Sequence, residues 1–169
     1  MEIAFIAFII LCLGGVAFFY FKNKDNTDSS PEKTSQPDVV SDPLVKFQEE
    51  LLETNLFIRK NCSNQRIVTI SEEILDILNV VFPKVNEMNP FGDSTSIVKS
   101  MPTRYLLQKC IVPFTNLSSD LQSSEENIEK ALSSLDTLHS EVEEIKTYSD
   151  NNDLQSLDAK SEFIKRKFS

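Results

Sequence analysis

The sequence predicts an all-α protein, in which one N-terminal transmembrane helix precedes a bundle of four to five helices ending in an antiparallel helical hairpin. Residues 3–21 contain no charged side chain, and beyond them apolar residues recur at the spacing of amphipathic helices. Gly92 is the one glycine beyond that segment, and runs typical of β-strands are nearly absent. We therefore divide the chain into an anchor (1–22), a flexible polar tether (23–42) and an acidic helical domain (43–169).

The apolar N-terminal segment has the length of a membrane span. The 19 residues from Ile3 to Phe21 would rise about 28 Å as a helix, close to the ~30 Å hydrocarbon core of a bilayer. A cleaved signal would need a basic start and a small-residue cleavage site, but Glu2 is the only charged side chain before the run. The pattern predicts an uncleaved span that contacts the lipid bilayer through Ile3 to Phe21.

The charges beside the span indicate its orientation. Lys22 and Lys24 follow the span directly and no basic residue precedes it. Positive charge favours the cytoplasmic side, so we expect a single-pass cell-membrane protein with its N-terminus outside and its domain in the cytoplasm. Besides Cys12 in the span, the chain has Cys62 and Cys110, which suit a reducing compartment. An outward-facing domain, which would allow these two to form a disulfide, remains the alternative.

The domain is acidic, which limits its partners. The residues beyond the span include 17 basic and 25 acidic side chains, a net charge of −8. This sign opposes nucleic-acid binding and attraction to an anionic leaflet, so protein partners are expected. Glu141, Glu143 and Glu144 are interpreted as a solvated helix face. The basic residues near the C-terminus complement the negative end of a last helix, with a lipid or partner patch as the alternative: Lys160, Lys165, Arg166 and Lys167.

Two helices are predicted in the first half of the domain. Asp42 and Pro43 are typical of a helix start, and the first helix should run to about Lys60. Residues 66–70 are β-branched and suggest a short extended segment. Thr69 and Glu72 have the spacing of a capping box that would begin the second helix. The expected apolar faces are Leu44, Phe47, Leu51, Leu52 and Ile58, then Ile70, Ile74, Ile77, Leu78 and Val81.

Prolines and Gly92 divide the middle of the domain. Pro83 should kink or end the second helix, and Pro90 should end any continuation. Residues 89–102 read as a loop. A third helix is predicted over 102–122, with Pro113 bending it. Its apolar face is Leu106, Leu107, Cys110, Ile111, Phe114, Leu117 and Leu121.

The last two predicted helices form a hairpin. Ser123 and Glu126 have capping-box spacing ahead of a helix over 124–147, and a last helix should follow from Asp153 to Phe168. Both carry short heptad patterns, which favour packing within a bundle over a long coiled coil. The seam residues are either core or a groove for a protein partner: Ile128, Leu135 and Val142.

The sequence lacks the residues of familiar catalytic sites. A P-loop would need glycines that are absent, and valine at 68 and asparagine at 116 stand where a cysteine phosphatase would carry arginine after Cys62 or Cys110. The single histidine, His139, lies on a helix seam. We therefore predict no enzyme activity, no metal and no cofactor. Cys62 lies near basic residues that would lower its pKa, which makes it a possible reactive thiol, with an inert exposed thiol as the alternative.

The order of features in the last three predicted helices resembles the C-terminal half of the bacterial XpaC-like family, named for 5-bromo-4-chloroindolyl phosphate hydrolysis. The residues that carry the resemblance are Tyr105, Leu106 and Pro113, then Glu126, Ile128, Leu132 and Leu135, and finally Leu157, Asp158 and Glu162. The resemblance implies a membrane-associated helical accessory protein and supplies no catalytic residues. The family name hints at a regulator of, or a divergent enzyme in, phosphate-ester hydrolysis.

Together these observations predict a membrane-anchored cytoplasmic scaffold that binds protein partners near the membrane. Its tether would hold the domain close to the bilayer and raise its concentration near membrane-bound partners. The alternatives are the phosphate-ester role, which predicts a polar pocket near residues 89–102, and an outward-facing envelope component.

Overall fold

The first two helices of the domain pack against each other as an antiparallel pair. The computed structural model describes residues 42–168, and the predicted span and most of the predicted tether lie outside them. Helix α1 is Pro43–Asn61 and helix α2 is Gln65–Met88. Phe47 stacks on Phe82 with ring centroids 4.0 Å apart, and Arg59 pairs with Glu72 close to the connecting turn.

The starts of both helices are set by polar caps. The Asp42 side chain accepts a hydrogen bond from the Leu44 N–H at 2.9 Å, which confirms the predicted cap. Asn64 accepts from the Arg66 and Ile67 N–H groups at 3.0 and 3.3 Å. Because Asn64 satisfies these two donors, α2 begins four residues before Thr69, and the prediction of an extended segment at 66–70 was wrong.

Pro83 lies inside α2 without ending it. The helix continues five residues further, to Met88. Pro83 is exposed, and Asn79, whose carbonyl would otherwise accept the missing N–H, is an exposed residue too. Water can therefore satisfy the carbonyl that proline leaves free.

The region predicted as a loop is largely helical. Helix α3 is Asp93–Ser100, and it runs directly into a π-helix, π1, over Met101–Ile111. Thr95 donates a hydrogen bond to the Asn89 carbonyl at 2.6 Å, which holds the turn before α3. The prediction of a loop at 89–102 was wrong. Helix α3 is short and mostly polar in sequence, so its periodicity did not indicate that one of its sides is buried.

The predicted third helix is divided. After π1 come two single turns, α4 (Val112–Thr115) and α5 (Ser119–Gln122). The Val112 N–H bonds to the Leu107 carbonyl, five residues back. The buried residues of π1 come in adjacent pairs four or five positions apart, which fits this wider repeat: Met101 and Pro102, Tyr105 and Leu106, Cys110 and Ile111.

The last two helices also fold back on each other. Helix α6 is Glu125–Asp150 and helix α7 is Leu154–Lys167. They are joined by a turn in which Asn152 has a φ of 53°, a conformation that asparagine tolerates. Asp153 caps α7 by accepting the Ser156 N–H at 3.0 Å. Lys160 reaches back to Glu144 at 2.8 Å, so α7 returns along α6.

Helices α2 and α6 run parallel and make the most extensive contact between two elements. Arg66 pairs with Glu125 and Glu129 at one end, and Lys84 pairs with Asp150 at the other.

The residues described in the structure contain no strand, so this part of the chain is all-α. Its core draws on the apolar faces of α1, α2, π1, α6 and α7.

Truncating the α6 core should destabilise the domain. Leu135 has no exposed surface, so Leu135→Ala should lower the free energy of unfolding by about 3 kcal/mol through lost burial and a cavity. Urea unfolding followed by circular dichroism measures this. Leu121→Ala is the control, because Leu121 is 49% exposed and its truncation should cost under about 1 kcal/mol. Equal effects would contradict the placement of Leu135 in the core.

Candidate functional site

The groove between the parallel helices α2 and α6 is the candidate binding site. It has a volume of about 450 Å³ and is open to solvent. Ile70 and Leu132 are the apolar side chains that line it, and the remaining lining residues are polar or charged. The other lining residues are Gln65, Arg66, Thr69, Glu73, Glu129 and Asp136.

The groove carries excess negative charge. Arg66 is the only cation among the described residues that line it, and it is held by Glu125 at 3.0 Å and Glu129 at 2.7 Å. The hydrogen bond to Arg66 lowers the pKa of the Glu129 carboxyl, so this side chain stays ionised. Asp136 has no ion-pair partner among the described residues. The groove therefore offers carboxylates to a positively charged ligand.

His139 lies close to this groove. Its Nε2 is 3.9 Å from the Glu73 carboxylate, and its side chain is 30% exposed. This contact joins α2 to α6, so the histidine lies at the seam between these two helices. Among the described residues, no serine, threonine or cysteine side chain forms a hydrogen bond with it.

A second cluster of charges is buried between α6 and α7. Glu141 has a side chain only 8% exposed and pairs with Lys160 and with Lys167, the latter at 2.8 Å. Lys160 is 12% exposed and also pairs with Glu144. The interpretation of Glu141 as part of a solvated face was wrong, because α7 covers it. Lys160 and Lys167 bind these carboxylates rather than only complementing the end of their own helix.

The cluster perturbs its own pKa values. Burial alone raises the pKa of Glu141, but hydrogen bonds and attraction from Lys160 and Lys167 outweigh it, so the pKa is lowered. Burial likewise opposes the charged form of Lys160, yet Glu141 and Glu144 raise the pKa of that amine. Both groups therefore remain charged at neutral pH, and the cluster ties α7 to α6.

The predicted seam residues lie inside the domain. Ile128 is 7% exposed, and Leu135 and Val142 have no exposed surface. They pack within the core, and in this structure they present no free surface to a partner.

Both thiols of the domain are buried. Cys62 is 5% exposed, and burial raises its pKa although its Sγ–H donates weakly to the Asn64 carbonyl. This environment opposes the reactive thiolate that the neighbouring basic residues had suggested. Burial raises the pKa of Cys110 to about 11, and both cysteines are free thiols.

The structure brings no metal ligands together within residues 42–168, where no group of three or more His, Cys, Asp or Glu side chains is placed to hold an ion. No helix in that range is long and apolar enough to cross a bilayer.

The chain matches no family model, and neither the curated proteins nor the solved structures contain a match to it.

The sequence did not reveal the groove or the charge cluster. Glu73 and Asp136 are ordinary polar residues of two helices, and only the parallel packing of α2 and α6 brings them together. A signal did exist for the cluster: in a predicted hairpin, acids on the first helix face bases on the second. Glu141 and Lys160 lie at comparable distances from the turn, so the predicted hairpin could have indicated this pair, but we did not predict it from the sequence.

Acid should weaken the charge cluster. The pKa of Glu141 is lower in the folded protein than in the unfolded chain, where it is about 4.3. The ionised Glu141 therefore stabilises the fold fully above the unfolded pKa, and this stabilisation is lost as the pH falls through the folded pKa. Glu141→Gln should lower the free energy of unfolding by about 2 kcal/mol at pH 7, with the difference from wild type shrinking below about pH 4. Urea unfolding across pH 3–8 measures it.

The matched control is Glu144→Gln, which removes the more exposed acceptor of Lys160. Because Glu144 is 48% exposed, this change should cost under about 1 kcal/mol at pH 7. A Glu141→Gln effect that stays constant from pH 3 to pH 8 would contradict the assignment.

Proposed function

We propose that this chain is a membrane-anchored helical adaptor whose domain binds a protein partner close to the membrane. The observation that carries the proposal is the order of segments: 19 uncharged residues, then a polar stretch, then a packed helical domain. In this arrangement the span holds the domain near the bilayer and the polar stretch lets it reach membrane-bound partners.

The groove between α2 and α6 favours a particular kind of partner. Its lining combines apolar side chains with several carboxylates, and it lies between two parallel helices. A helical segment with an apolar face flanked by lysine or arginine would complement both features. The net charge of −9 strengthens this preference, since the whole chain attracts cations.

The proposed location is the cell membrane, with the N-terminus outside and the domain in the cytoplasm. Lys22 and Lys24 support this orientation. The outward-facing alternative places the same groove in the envelope. The resemblance to the XpaC-like family supports a membrane-associated accessory role, and its link to phosphate-ester hydrolysis stays a prediction.

Thiol labelling of intact cells tests the orientation. The buried Cys62 is unsuitable as a reporter, so Ser133→Cys, at an exposed position on α6, is introduced in a Cys12→Ser background. A membrane-impermeant maleimide should label this cysteine only after lysis. The same protein without Ser133→Cys is the control, and it should label slowly in both conditions because both of its thiols are buried. Labelling on intact cells would place the domain outside.

Photo-crosslinking in cells tests the groove. A photoreactive amino acid at Asp136, inside the groove, should give a discrete adduct with a protein partner. The same amino acid at the exposed Thr147, on the same helix outside the groove, should not. Adding Glu73→Lys should weaken the Asp136 adduct, because it reverses one of the groove charges. Equal adducts at both positions, or no effect of Glu73→Lys, would argue against the groove.

A further inference from the structure

Helix α1 has a second apolar surface on the side facing away from the core. Its core side consists of Phe47, Leu51, Thr54 and Ile58, which are all buried. Val45, Leu52 and Leu56 are 48%, 60% and 58% exposed, and their spacing places them on one opposite stripe of the helix. The sequence-based prediction that Leu52 widens the core face was therefore wrong.

This outer stripe is flanked on one side by exposed charges that have no partner in the described part of the domain. Glu49, Glu53 and Lys60 lie on this side, and none of them forms an ion pair with another described residue. By contrast, Arg59 on the other side of the stripe pairs with Glu72 of α2. Helix α1 packs chiefly on α2 and π1, so its outer stripe is uncovered by other described elements.

We infer that the outer stripe of α1 binds the same stripe of a second copy of this chain, as an antiparallel pair of helices. In this pair Leu52 lies opposite the partner's Leu56, and symmetry gives the reverse contact as well. Glu49 then lies opposite position 59 of the partner, one residue from the partner's Lys60. The pair therefore buries four leucines between two identical ion pairs, which is the reciprocal pattern that two-fold symmetry requires.

The charges select the antiparallel arrangement. A parallel pair would turn the side that carries Lys60 toward the partner's Arg59, and two cations would meet. An antiparallel pair instead brings each Glu49 to a Lys60, so attraction occurs at both ends of the contact and outweighs the single repulsion between the two Glu53 side chains at its middle.

The chain outside the described residues permits this contact. The two copies of α1 would begin about 33 Å apart along the axis, because Leu52 opposite Leu56 places the helix start at position 43 opposite position 65. The polar stretch 23–42 extends further than that when stretched, to about 65 Å. Two copies anchored in one bilayer can therefore pair, and anchoring favours a small interface by raising the effective concentration. The stripe itself does not depend on the proposed partner groove.

A zero-length carbodiimide cross-link tests the contact directly. Within one helix Glu49 and Lys60 are about 16 Å apart along the axis, too far for direct amide formation. An amide between Glu49 and Lys60 can therefore form only between two copies. We expect this link, identified by peptide mass spectrometry, in the full chain reconstituted in phosphatidylcholine vesicles.

Variants make the test specific to the stripe. Leu52→Asp and Leu56→Asp should abolish the link, whereas Val80→Asp should preserve it, because Val80 is a similarly exposed apolar residue on α2. Glu49→Lys or Lys60→Glu alone should abolish it, and the double exchange should restore an amide between the same two positions. Circular dichroism confirms folding, which exposed substitutions leave intact.

The other occupants give different results. Leu56→Trp would be the only tryptophan of the chain, and quenching of its fluorescence by brominated acyl chains would assign the stripe to the bilayer. Cross-links from α1 to residues 1–41 of the same chain would assign it to the N-terminal segment. Either result, or the absence of a Glu49–Lys60 amide, overturns the inference.

Discussion

The packing of α2 against α6 is the contact on which the rest of the domain depends. Ile74, Leu78, Leu135 and Val142 have no exposed surface in these two helices, and each such side chain contributes about 1.5–3 kcal/mol by burial. The ion pairs at the two ends, from Arg66 and Lys84, are exposed and contribute about 1 kcal/mol or less each. Burial therefore stabilises the pair, while the charges favour its parallel register.

The remaining elements are arranged around this pair. Helix α1 folds back on α2 and α7 folds back on α6, so each long helix has an antiparallel neighbour. The segment from α3 to α5 connects the two hairpins, and π1 contributes Tyr105, which meets Phe168 edge to face at 5.7 Å. This contact brings the end of α7 to the middle of the chain, so the C-terminal helix is held by core packing as well as by Glu141.

Two surfaces of the described domain are candidates for binding, and they differ in chemistry. The groove between α2 and α6 combines apolar side chains with carboxylates, which suits a cationic segment. The outer stripe of α1 combines leucines with unpaired charges of both signs, which is the basis for the inferred pairing with a second copy. The two surfaces lie on different helices: the groove lies between α2 and α6, and the stripe lies on α1. The proposed self-pairing and the proposed partner binding therefore do not exclude each other.

The all-α class, the Asp42 cap and the positions of the long helices followed from the sequence by itself, because helix periodicity and capping are local properties. The local pattern failed where a helix was short or unusual. Helix α3 is polar in sequence, and π1 follows a wider repeat than the pattern for an α-helix assumes. The start of α2 was also misplaced, because Asn64 and Thr69 are both acceptable caps and only the packing of Ile67 and Val68 favours the earlier one.

Which face of each helix meets which neighbour was decided by the tertiary structure alone. Ile128, Leu135 and Val142 are apolar whether they line a core or a partner site, and burial among the other helices makes them core. The same holds for Leu52, which the periodicity could not separate from Leu51. The groove and the Glu141 cluster join residues far apart in the chain, so their chemistry exists only once α2 meets α6 and α7 covers Glu141.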